Sequence, residues 1–494
     1  MSLPRLKRRQ FLQTSTALTL GALAPRLAGA PTEPSVPVGP FQCMGLRIGE
    51  VSEGTAFVWT RLTAAPTRNE QGTVIPKRGK EDKKRGKGES KVTDQVDELS
   101  GACPGAAGQV RLRYSLKEDL SDAVTMPVMT AAAAHDYISL FKLTGLQPGA
   151  TYYCISEVMG PQGALVAGAV RGRFETAPLP DTPSRLRFCV MTCQGYADRG
   201  HPDGHDIYPA MAAFRPQFTC LTGDLVYYDS GDPDAVNVRL ARYHWERMFS
   251  LPRLVAFNSN HSTYWLKDDH DTLSNDSGPG ASMGELTFAQ GQELFRQQAP
   301  MAPDGPSFRT IRWGRDLQVW FTDGRDYRSK NKLQDAPDKS IWGPEQKAWF
   351  KRTVKESTAT WKVLVSPTPM VGPDRNNKQD NHANDKFAHE GDELRSWMQA
   401  NVPDNFFVVC GDRHWQYHSV HPISGVREFS VGPASDAHAS GSPGYNAKYH
   451  KFHRVEGGFL AVSLERVGAE SRLRCELRNV KGEVVHTWDA SRKV

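Results

Sequence analysis

The sequence of 494 residues predicts an all-β domain over residues 31–180, followed by an α/β domain over residues 181–494. The chain is too long for one ordinary hydrophobic core, which favours more than one domain. In the first region, short runs of β-forming residues alternate with turn residues. After the proline-rich segment 177–183, short apolar runs end in polar, glycine-bearing loops and alternate with longer helical or irregular stretches. This second pattern is typical of α/β domains whose functional site lies where strands end.

The first 30 residues have the features of an export signal. A basic segment, residues 5–9, precedes a mildly apolar stretch, residues 14–24, and residues 28–30 form an A-x-A cleavage site. The pair Arg8-Arg9 resembles a twin-arginine signal; the alternative is an ordinary secretory signal that carries two arginines. No later apolar run approaches the ~20 residues that span a bilayer. We therefore predict a signal peptide over residues 1–30, a periplasmic or extracellular location, and no transmembrane segment.

The formal net charge of +6 does not indicate a nucleic-acid-binding protein. Five basic residues and no acidic residue lie in the first 30 positions, and the rest of the chain has 56 basic and 55 acidic residues. A second basic run, Lys77–Lys91, holds eight basic and three acidic residues, so the remaining body is close to neutral. A nucleic-acid-binding face needs a concentrated basic surface, which this distribution does not provide. The sequence leaves the oligomeric state open.

Within residues 31–180, three segments have the composition of β-strands: Thr55–Arg61, Gln109–Tyr114 and Gly168–Phe174. The segment Leu143–Tyr153 resembles the hairpin corner of a fibronectin-III-like sandwich. In that arrangement its leucines fill the core, while Pro148 and Gly149 turn the chain. We therefore predict a fibronectin-III-like β-sandwich in front of the α/β domain.

A polar insertion interrupts the predicted β-sandwich over residues 63–108. It contains the run Lys77–Lys91 and has few apolar residues, so we expect it to bury too little surface to become ordered. The prediction is a disordered, solvated loop. The alternative is that its lysines form a phosphate-binding patch.

In the α/β region, five short apolar runs are predicted strands: Leu186–Met191, Phe218–Thr222, Leu317–Thr322, Lys362–Ser366 and Phe406–Cys410. Two further β segments, Gly458–Ser463 and Arg472–Leu477, are expected to complete a sheet edge.

The chain has eight cysteines and no C-x-x-C pair, so neither a zinc knuckle nor a thioredoxin-like motif is predicted. Export permits disulfides, and four cysteines lie outside the segments that carry the polar motifs: Cys43, Cys103, Cys154 and Cys475. The sequence does not determine which of them pair.

Four strand-end loops carry side chains that can bind metal ions. They read Thr192-Cys193-Gln194, Gly223-Asp224-Leu-Val-Tyr227, Asp268-Asp269-His270-Asp271 continuing to Asp276, and Gly411-Asp412-Arg-His414. A Gly-Asp pair after a strand is a common turn, so each loop alone is a weak signal. Carboxylates gathered in one place repel one another unless a cation neutralises them. Four such loops in succession therefore predict a site with more than one metal ion.

The order of these motifs resembles that of the PhoD-like alkaline phosphatases and phosphodiesterases, a branch of the calcineurin-like metallophosphoesterases. The resemblance also includes Asp323-Gly-Arg325-Asp-Tyr327-Arg328, and it spans residues 185–440. It implies an α/β fold, a calcineurin-like two-sheet α/β sandwich preceded by the β-sandwich. It also implies hydrolysis of small-molecule phosphoesters outside the cytoplasm, with metal-bound hydroxide attacking phosphorus.

The resemblance implies Fe³⁺ and Ca²⁺ as the metals and suggests the residues that hold them. The iron-side candidates are Cys193, Asp224, Tyr227, Asp412 and His414. Asp224 is expected to bridge to the second metal position, where Asp269 and Asn275 are further candidates. Thiolate, tyrosinate and carboxylate are anionic donors that suit a trivalent iron, and calcium takes oxygen ligands.

His270 and Arg325 are the predicted catalytic residues. His270 resembles the superfamily histidine that faces the phosphoryl group, which implies leaving-group protonation or charge stabilisation. Arg325 is a candidate phosphate clamp because its planar fork matches phosphate oxygens. The alternative for Arg325 is a structural ion pair with Asp323 or Asp326.

Several residues in these segments have alternative interpretations. Cys193 is alternatively a buried small hydrophobe, and only its spacing favours Tyr227 over Tyr228 as a ligand. His382 and His389 lie where the family often has an Asp-x-Trp-x-Gly-Tyr segment, and without its tryptophan and glycine we expect a different pocket shape. Four more histidines are interpreted as surface groups or as groups that only support the ligands: His261, His418, His421 and His438.

Two departures from the wider superfamily favour the PhoD-like branch. Asp269 stands where many calcineurin-like enzymes have asparagine, and residues 362–370 contain no histidine where a ligand is often supplied. Both argue against a di-iron or dimanganese centre. A phospholipase D-like or nucleotide-directed phosphodiesterase on the same site is an alternative function. A non-catalytic binding protein with a degenerate metal domain is a second one, although the retained motif residues argue against it.

Overall fold

The computed structural model describes residues 39–76, 95–160, 164–166, 168–402 and 404–494. The predicted signal peptide, residues 1–30, lies outside the described residues, as does the whole of the basic run Lys77–Lys91.

Two facing β-sheets form the centre of the protein. The larger sheet contains β1 (Leu46–Gly49), β2 (Thr55–Arg61), β6 (Ile138–Thr144), β9 (Leu186–Met191), β10 (Phe218–Thr222), β11 (Ser262–Leu266), β21 (Phe459–Val467), β22 (Glu470–Arg478) and β23 (Val484–Lys493). The facing sheet contains β14 (Arg309–Trp313), β15 (Leu317–Phe321), β16 (Trp361–Ser366), β17 (Phe406–Cys410), β18 (Gln416–Val420), β19 (Arg427–Val431) and β20 (His450–Arg454). Apolar side chains of both sheets, such as Phe188, Phe218, Val363 and Val409, form the core between them.

Helices cover the outer face of each sheet. The larger sheet packs against α1 (Ile207–Phe214), α2 (Val238–Phe249), α3 (Pro252–Asn260) and α4 (Phe288–Gln298). The facing sheet packs against α5 (Gly343–Glu356) and α6 (Ala388–Asn401). The parallel strands β9, β10, β16 and β17 are consequently buried along nearly their whole length, which explains why they are continuous apolar runs in the sequence. A short hairpin, β12 (Ser282–Met283) and β13 (Leu286–Thr287), precedes α4.

The N-terminal β region is joined to the α/β region by main-chain hydrogen bonds. A third sheet, which contains β3 (Gly108–Ser115), β4 (Val124–Thr125), β5 (Met129–Ala131), β7 (Thr151–Met159) and β8 (Val170–Glu175), packs on β1, β2 and β6 through a shared apolar core. These two layers form the expected β-sandwich. However, β1 also pairs in parallel with β11, so one layer of the sandwich continues directly into the larger sheet.

The described parts of the insertion 63–108 differ from the expected disorder. A 3-10 turn, Val96–Glu98, buries Val96, and Leu99 and Cys103 are buried in the core beneath α2. The backbone N–H of Cys103 donates to Glu246 Oε2 of α2 at 2.9 Å. The expectation was therefore wrong for residues 63–76 and 95–108, because a few apolar side chains at the ends of the insertion find a place in the core. Residues 77–94 lie outside the described part.

Most predicted strands are confirmed, several with the same bounds, including β2, β9, β10 and β17. The last predicted β segments are confirmed as β21 and β22, with β23 beyond them at the sheet edge. All eight cysteines lie in the described part of the chain as free thiols. Among the described residues, none of the helices has both the length and the apolar character that crossing a bilayer requires.

Candidate functional site

The predicted metal-binding loops meet at one end of the two central sheets. Strands β9, β10 and β11 are parallel neighbours, so the loops that carry Cys193, Asp224 and Asp268 leave the same edge of the larger sheet. Strand β17 of the facing sheet brings Asp412 to the same end. The fold therefore gathers ligand-type side chains from four loops that are far apart in sequence.

Three of these residues have a left-handed backbone, which is uncommon for residues other than glycine. The φ angles are 50° at Cys193, 56° at Asp224 and 61° at Asp412. Such a conformation costs on the order of 1 kcal/mol per residue, and it is typical of functional sites. Each of the three follows a buried strand directly, so the turn aims its side chain at the common centre instead of continuing the strand.

Two glycines make the close approach of these loops possible. A Cβ atom at Gly223 would lie 2.6 Å from the Cβ atom of Asp268, and one at Gly411 would lie 2.7 Å from the carbonyl oxygen of Thr222. Both distances are shorter than any tolerable carbon contact. The Gly-Asp pairs of the sequence are therefore required by packing between the loops, and are not simple surface turns.

Asp224 lies at the centre of the cluster. Three sets of side chains each include Asp224, and within each set the potential ligand atoms lie within 4.8 Å of one another. The partners of Asp224 are Cys193 and His414 in one set, Asp269 and His270 in another, and Asp268 and Asp412 in the third. Asp224 is thus the residue most able to bridge two cations. We refer to these residues, together with Tyr227, as the strand-end cluster.

Three carboxylate oxygens of the strand-end cluster are buried and have no hydrogen-bond partner among the described residues: Asp224 Oδ1, Asp268 Oδ2 and Asp412 Oδ2, of which the last is in an ion pair with Arg413. Burial and the neighbouring Asp269 raise the pKa of Asp224, and burial raises the pKa of Asp268 to about 8 despite the nearby Arg325. A buried, unpaired carboxylate oxygen is costly unless a cation or a donor meets it. These side chains therefore fit a metal ion by their donor atoms and by their unmet charge.

Cys193 and Tyr227 contact the same oxygen of Asp224. The Sγ atom of Cys193 lies 3.4 Å and the hydroxyl of Tyr227 lies 3.2 Å from Asp224 Oδ2. Burial and the charge of Asp224 raise the pKa of both groups, which only a bound cation would reverse. Tyr228 points away from the cluster, and its hydroxyl accepts a hydrogen bond from the indole of Trp245 in the core.

His270 is held at the edge of the cluster by Asp229. Its Nδ1 lies 2.5 Å from Asp229 Oδ1, and its ring centre lies 4.5 Å from that of Tyr227. Burial alone would lower the pKa of His270, but Asp229, Asp269 and Asp224 outweigh it and raise the pKa to about 10. The imidazole is therefore protonated at neutral pH in the absence of cations. Its side chain retains 16% exposure, which leaves it accessible to a bound molecule.

The two candidates for the second metal position differ in placement. Asp269 is buried and accepts backbone hydrogen bonds from His270 at 3.1 Å and from Asp276 at 2.5 Å. Asn275 is exposed, and its backbone N–H donates to Asp229 Oδ2 at 3.1 Å. Asp268, which the sequence analysis did not select, contributes to a candidate ligand set with Asp224 and Asp412. Its position in the Asp268–Asp271 motif was the available signal.

Arg325 is fully buried and makes an ion pair with Asp268 through its Nε. Its terminal nitrogen lies 3.6 Å from Asp269 Oδ1 and 3.8 Å from Asp380 Oδ2. The alternative predicted a structural ion pair of Arg325 with Asp323 or Asp326. Those partners were wrong, because both carboxylates form ion pairs with Lys267. The structure thus gives the Arg325 side chain carboxylate neighbours on several sides.

His438, which the sequence analysis interpreted as a surface group or as one that only supports the ligands, lies beside the strand-end cluster. Its Nε2 lies 2.9 Å from the Tyr227 hydroxyl and its Nδ1 lies 2.8 Å from Asp198 Oδ2. Its ring centre is 4.4 Å from that of His414. Burial, together with the neighbouring His438 and Arg413, keeps the pKa of His414 well below its usual value, so His414 is neutral and able to bind a metal.

Four other histidines named in the sequence analysis make contacts outside the strand-end cluster. His382 is buried and bonds Glu390 at 3.0 Å, and His418 lies 2.9 Å from His486. His261 bonds the carbonyl of Phe257, and His421 bonds Ser424. The loop that carries His382 brings two cations, Arg375 and Lys378, close to the cluster. Arg375 lowers the pKa of His414, and Lys378 lowers the pKa of Asp269.

Comparison with known proteins gives a family and a fold. The model of the PhoD-like phosphatase family matches residues 188–457, which is more than half of the chain. The fold is similar to the solved structure of PhoD, with a TM-score of 0.67 and 17% sequence identity over 94% of this chain and 90% of that chain. It is also similar to the purple acid phosphatase PPD1 from yellow lupin (Lupinus luteus) seeds, with a TM-score of 0.58 and 13% identity over 91% of this chain and 74% of that chain. No curated protein sequence matches. The two-sheet α/β sandwich preceded by a fibronectin-like β region is confirmed.

Proposed function

This chain belongs to the PhoD-like phosphatase family and is a phosphoric ester hydrolase, and we propose that it hydrolyses phosphomonoesters or phosphodiesters with metal ions held by the strand-end cluster. The observation that carries this proposal is the pair of buried, unpartnered carboxylate oxygens on Asp224 and Asp268. Repulsion among these carboxylates makes a cation the natural partner.

The donor atoms support iron on one side of Asp224 and calcium on the other. Cys193, Tyr227 and His414 offer a thiolate, a phenolate and a neutral imidazole, which suit Fe³⁺. Asp268 and Asp269 offer carboxylate oxygens, the ligand type that Ca²⁺ prefers, and Asp412 remains an iron-side candidate. Asn275 completes this set only if its exposed side chain turns toward Asp269. Metal ions at such a site polarise a phosphoryl oxygen and lower the pKa of a bound water.

The protein's own residues supply the acid. We assign leaving-group protonation to His270, because Asp229, which is not a candidate metal ligand, holds its ring in place and favours its protonated form. Asp229 therefore has a positioning role.

The phosphate contacts are assigned to a different arginine from the one that the motif suggested. Arg375 retains 34% exposure, and its Nε has only a loose ion pair with Asp374 Oδ1 at 3.7 Å and no hydrogen-bond partner among the described residues. Lys378 lies in the same loop and bonds Asp276 Oδ1 at 2.6 Å. Arg325, which is buried against Asp268, keeps that carboxylate in place instead of clamping the substrate.

The test of this proposal combines elemental analysis with rates on a chromogenic monoester and its diester analogue. We expect iron and calcium in the purified protein and a violet tyrosinate-to-iron absorption that disappears in Tyr227→Phe. Tyr228→Phe is the matched control, because that hydroxyl lies in the core, and it should keep the colour. Full activity in both Asp224→Ala and His414→Ala would refute the proposal. The ratio of the two rates also reports whether diesters are preferred.

Export by the twin-arginine route is part of the proposal and rests on Arg8-Arg9 and the A-x-A site at residues 28–30. Folding before export would allow the metal to be acquired in the cytoplasm. Replacement of both arginines by lysine should leave the enzyme in the cytoplasmic fraction. Unchanged export of that variant would point to the ordinary secretory route.

A further inference from the structure

A small cavity borders the strand-end cluster, and we refer to it as the Tyr196 pocket. Its volume is ≈ 130 Å³, and its lining includes Tyr227 of the cluster and His438, which lies 2.9 Å from the Tyr227 hydroxyl. The hydroxyl of Tyr227 lies 3.2 Å from Asp224 Oδ2. A phosphoester bound at the cluster would therefore have this pocket beside it.

The Tyr196 pocket is lined mainly by apolar surface. Tyr196, Val226, Tyr227 and Met248 are among the residues that line it. The charged groups of its wall are already paired, since Asp198 bonds His438 at 2.8 Å and Asp232 bonds Arg247 at 3.2 Å. A cavity of about 150 Å³ lined by apolar side chains binds benzene in another protein. The Tyr196 pocket is thus suited to one aromatic ring or one branched aliphatic group.

The aromatic wall of the pocket is held rigidly. The guanidinium groups of Arg199 and Arg247 lie 4.2 Å and 4.7 Å from the centre of the Tyr196 ring. The hydroxyl of Tyr196 accepts a hydrogen bond from Arg68 at 2.5 Å. Arg68 belongs to the described part of the insertion 63–108, which therefore braces this wall. A wall fixed before binding reduces the entropy cost of holding a ligand.

We propose that the Tyr196 pocket binds the alcohol portion of the substrate and selects phosphoesters of aromatic or bulky apolar alcohols over those of small or highly polar alcohols. This inference rests on the proposed function, because the phosphoryl group must first be bound at the strand-end cluster. It extends that function by naming a substrate class.

Direct binding of two phosphonates tests the proposal without turnover. Phenylphosphonate and methylphosphonate share the same headgroup, and their P–C bonds are not hydrolysed, so calorimetric titration of the metal-loaded protein compares the pocket contribution alone. We expect phenylphosphonate to bind at least about tenfold more tightly, as expected for an apolar group that fills a matching pocket. Equal affinities of the two phosphonates would overturn the inference.

A pocket-filling variant locates the effect. Ala197 is exposed and lines the pocket, so Ala197→Trp should fill it and reduce the affinity ratio of the two phosphonates to near one. Ala213→Trp, on the exposed face of α1, is the matched control and should keep the wild-type ratio. A wild-type ratio in Ala197→Trp would place the phenyl group elsewhere and overturn the inference.

Failure of the inference and failure of the proposed function have different signatures. If neither phosphonate nor orthophosphate binds, and no phosphoester is hydrolysed, the metal-centre proposal itself is wrong. If orthophosphate and both phosphonates bind with the same affinity and phosphoesters are hydrolysed, the site is correct and only the role of the Tyr196 pocket is wrong.

Discussion

The strand-end cluster and the outer groove of the larger sheet are both rich in charge, yet they are built in opposite ways. We use the name outer groove for the cavity of ≈ 940 Å³ lined by residues of α1, β21, β22 and β23, among them Arg474, Arg478 and Asp489. It is much larger than the Tyr196 pocket. Several of its charges, however, are paired with one another, as Arg474 of β22 and Asp489 of β23 are at 2.7 Å. Both members of that pair are more than half exposed.

In the cluster, by contrast, carboxylates are buried and two of their oxygens are unpaired. Three residues there also keep a left-handed backbone. Neither feature stabilises the protein on its own, so both need a functional explanation. The comparison teaches that unmet buried charge, and not the size of a cavity, identifies the functional end of this molecule.

The largest expected effect separates the two regions by activity. Asp224→Asn keeps the shape of the side chain but removes the charge shared by all three candidate ligand sets. We expect kcat/KM for a chromogenic phosphoester to fall at least about 10³-fold, which corresponds to loss of several kcal/mol of transition-state stabilisation. Asp489→Asn, in the outer groove, should stay within about twofold of the wild-type rate because it removes only an exposed ion pair.

A loss of similar size in both variants would contradict the comparison, since it would mean that the outer groove also takes part in catalysis. Metal content measured on the same samples separates the causes. The Asp224→Asn protein should contain less metal than the wild type, and the Asp489→Asn protein should contain the wild-type amount.

The sequence predicted the strands of the core and the loops of the site for one physical reason. Strands such as β9, β10 and β17 are buried on both faces, so their bounds coincide with continuous apolar runs. The polar residues that follow each run are then placed at a common sheet edge by the parallel topology. Cys193, Asp224 and Asp412 could be selected in this way without knowledge of any contact.

Features that depend on pairing between distant segments could not be predicted. The pairing of β1 with β11 joins Ile48 to Ser262, and no local pattern in either strand signals it. The pairing of Arg325 with Asp268 has the same origin, because Asp323 and Asp326 are nearer in sequence but bind Lys267. The contact of His438 with Tyr227 was not predicted because the loop of His438 carries no motif, although it follows a core strand as the other site loops do.

The next largest expected effect is on stability and concerns Glu390, a buried carboxylate whose oxygens both accept hydrogen bonds. The carboxylates of the cluster lack such a complete set of donors. Glu390 in α6 accepts hydrogen bonds from His382 at 3.0 Å, from the backbone of Ile341 at 2.5 Å and from the hydroxyl of Ser340. Burial alone would raise its pKa, but these donors lower the pKa to about 2. Because the folded pKa is depressed, the stabilisation is complete above the ordinary value of 4.5 and is lost as the pH falls toward about 2.

Glu390→Gln should therefore lower the free energy of unfolding by about 3 kcal/mol at pH 7. The difference from wild type should shrink steadily below pH 4.5. Urea unfolding at pH 7 and at pH 3 measures both values. A deficit that does not depend on pH would show that lost packing, and not the charged hydrogen bonds, explains the change.

In the metal-free protein, a charged carboxylate of the cluster has the opposite effect on stability from that of Glu390. Burial and Asp269 raise the pKa of Asp224, so the folded state loses stability as the pH rises from the ordinary value of 3.8 through the folded pKa, and the full cost is present above it. Asp224→Asn should therefore increase the stability of chelator-treated protein by on the order of 1–2 kcal/mol at pH 8. Thermal unfolding after chelation measures this gain. Addition of calcium and iron should stabilise the wild type and leave the variant nearly unchanged, and a destabilised metal-free variant would contradict the idea of an uncompensated charge.

The smallest expected effect lies in the outer groove, where the charges are already satisfied by exposed partners. A double-mutant cycle on Arg474→Ala and Asp489→Ala should give a coupling energy below about 1 kcal/mol, because water screens a pair that is 55% and 56% exposed. The coupling should weaken further in 1 M salt, where the screening length falls to about 3 Å. A coupling above about 2 kcal/mol that persists in salt would place the groove charges in the same class as the buried cluster. The large cavity would then need a functional explanation of its own, which exposed and paired charges do not require.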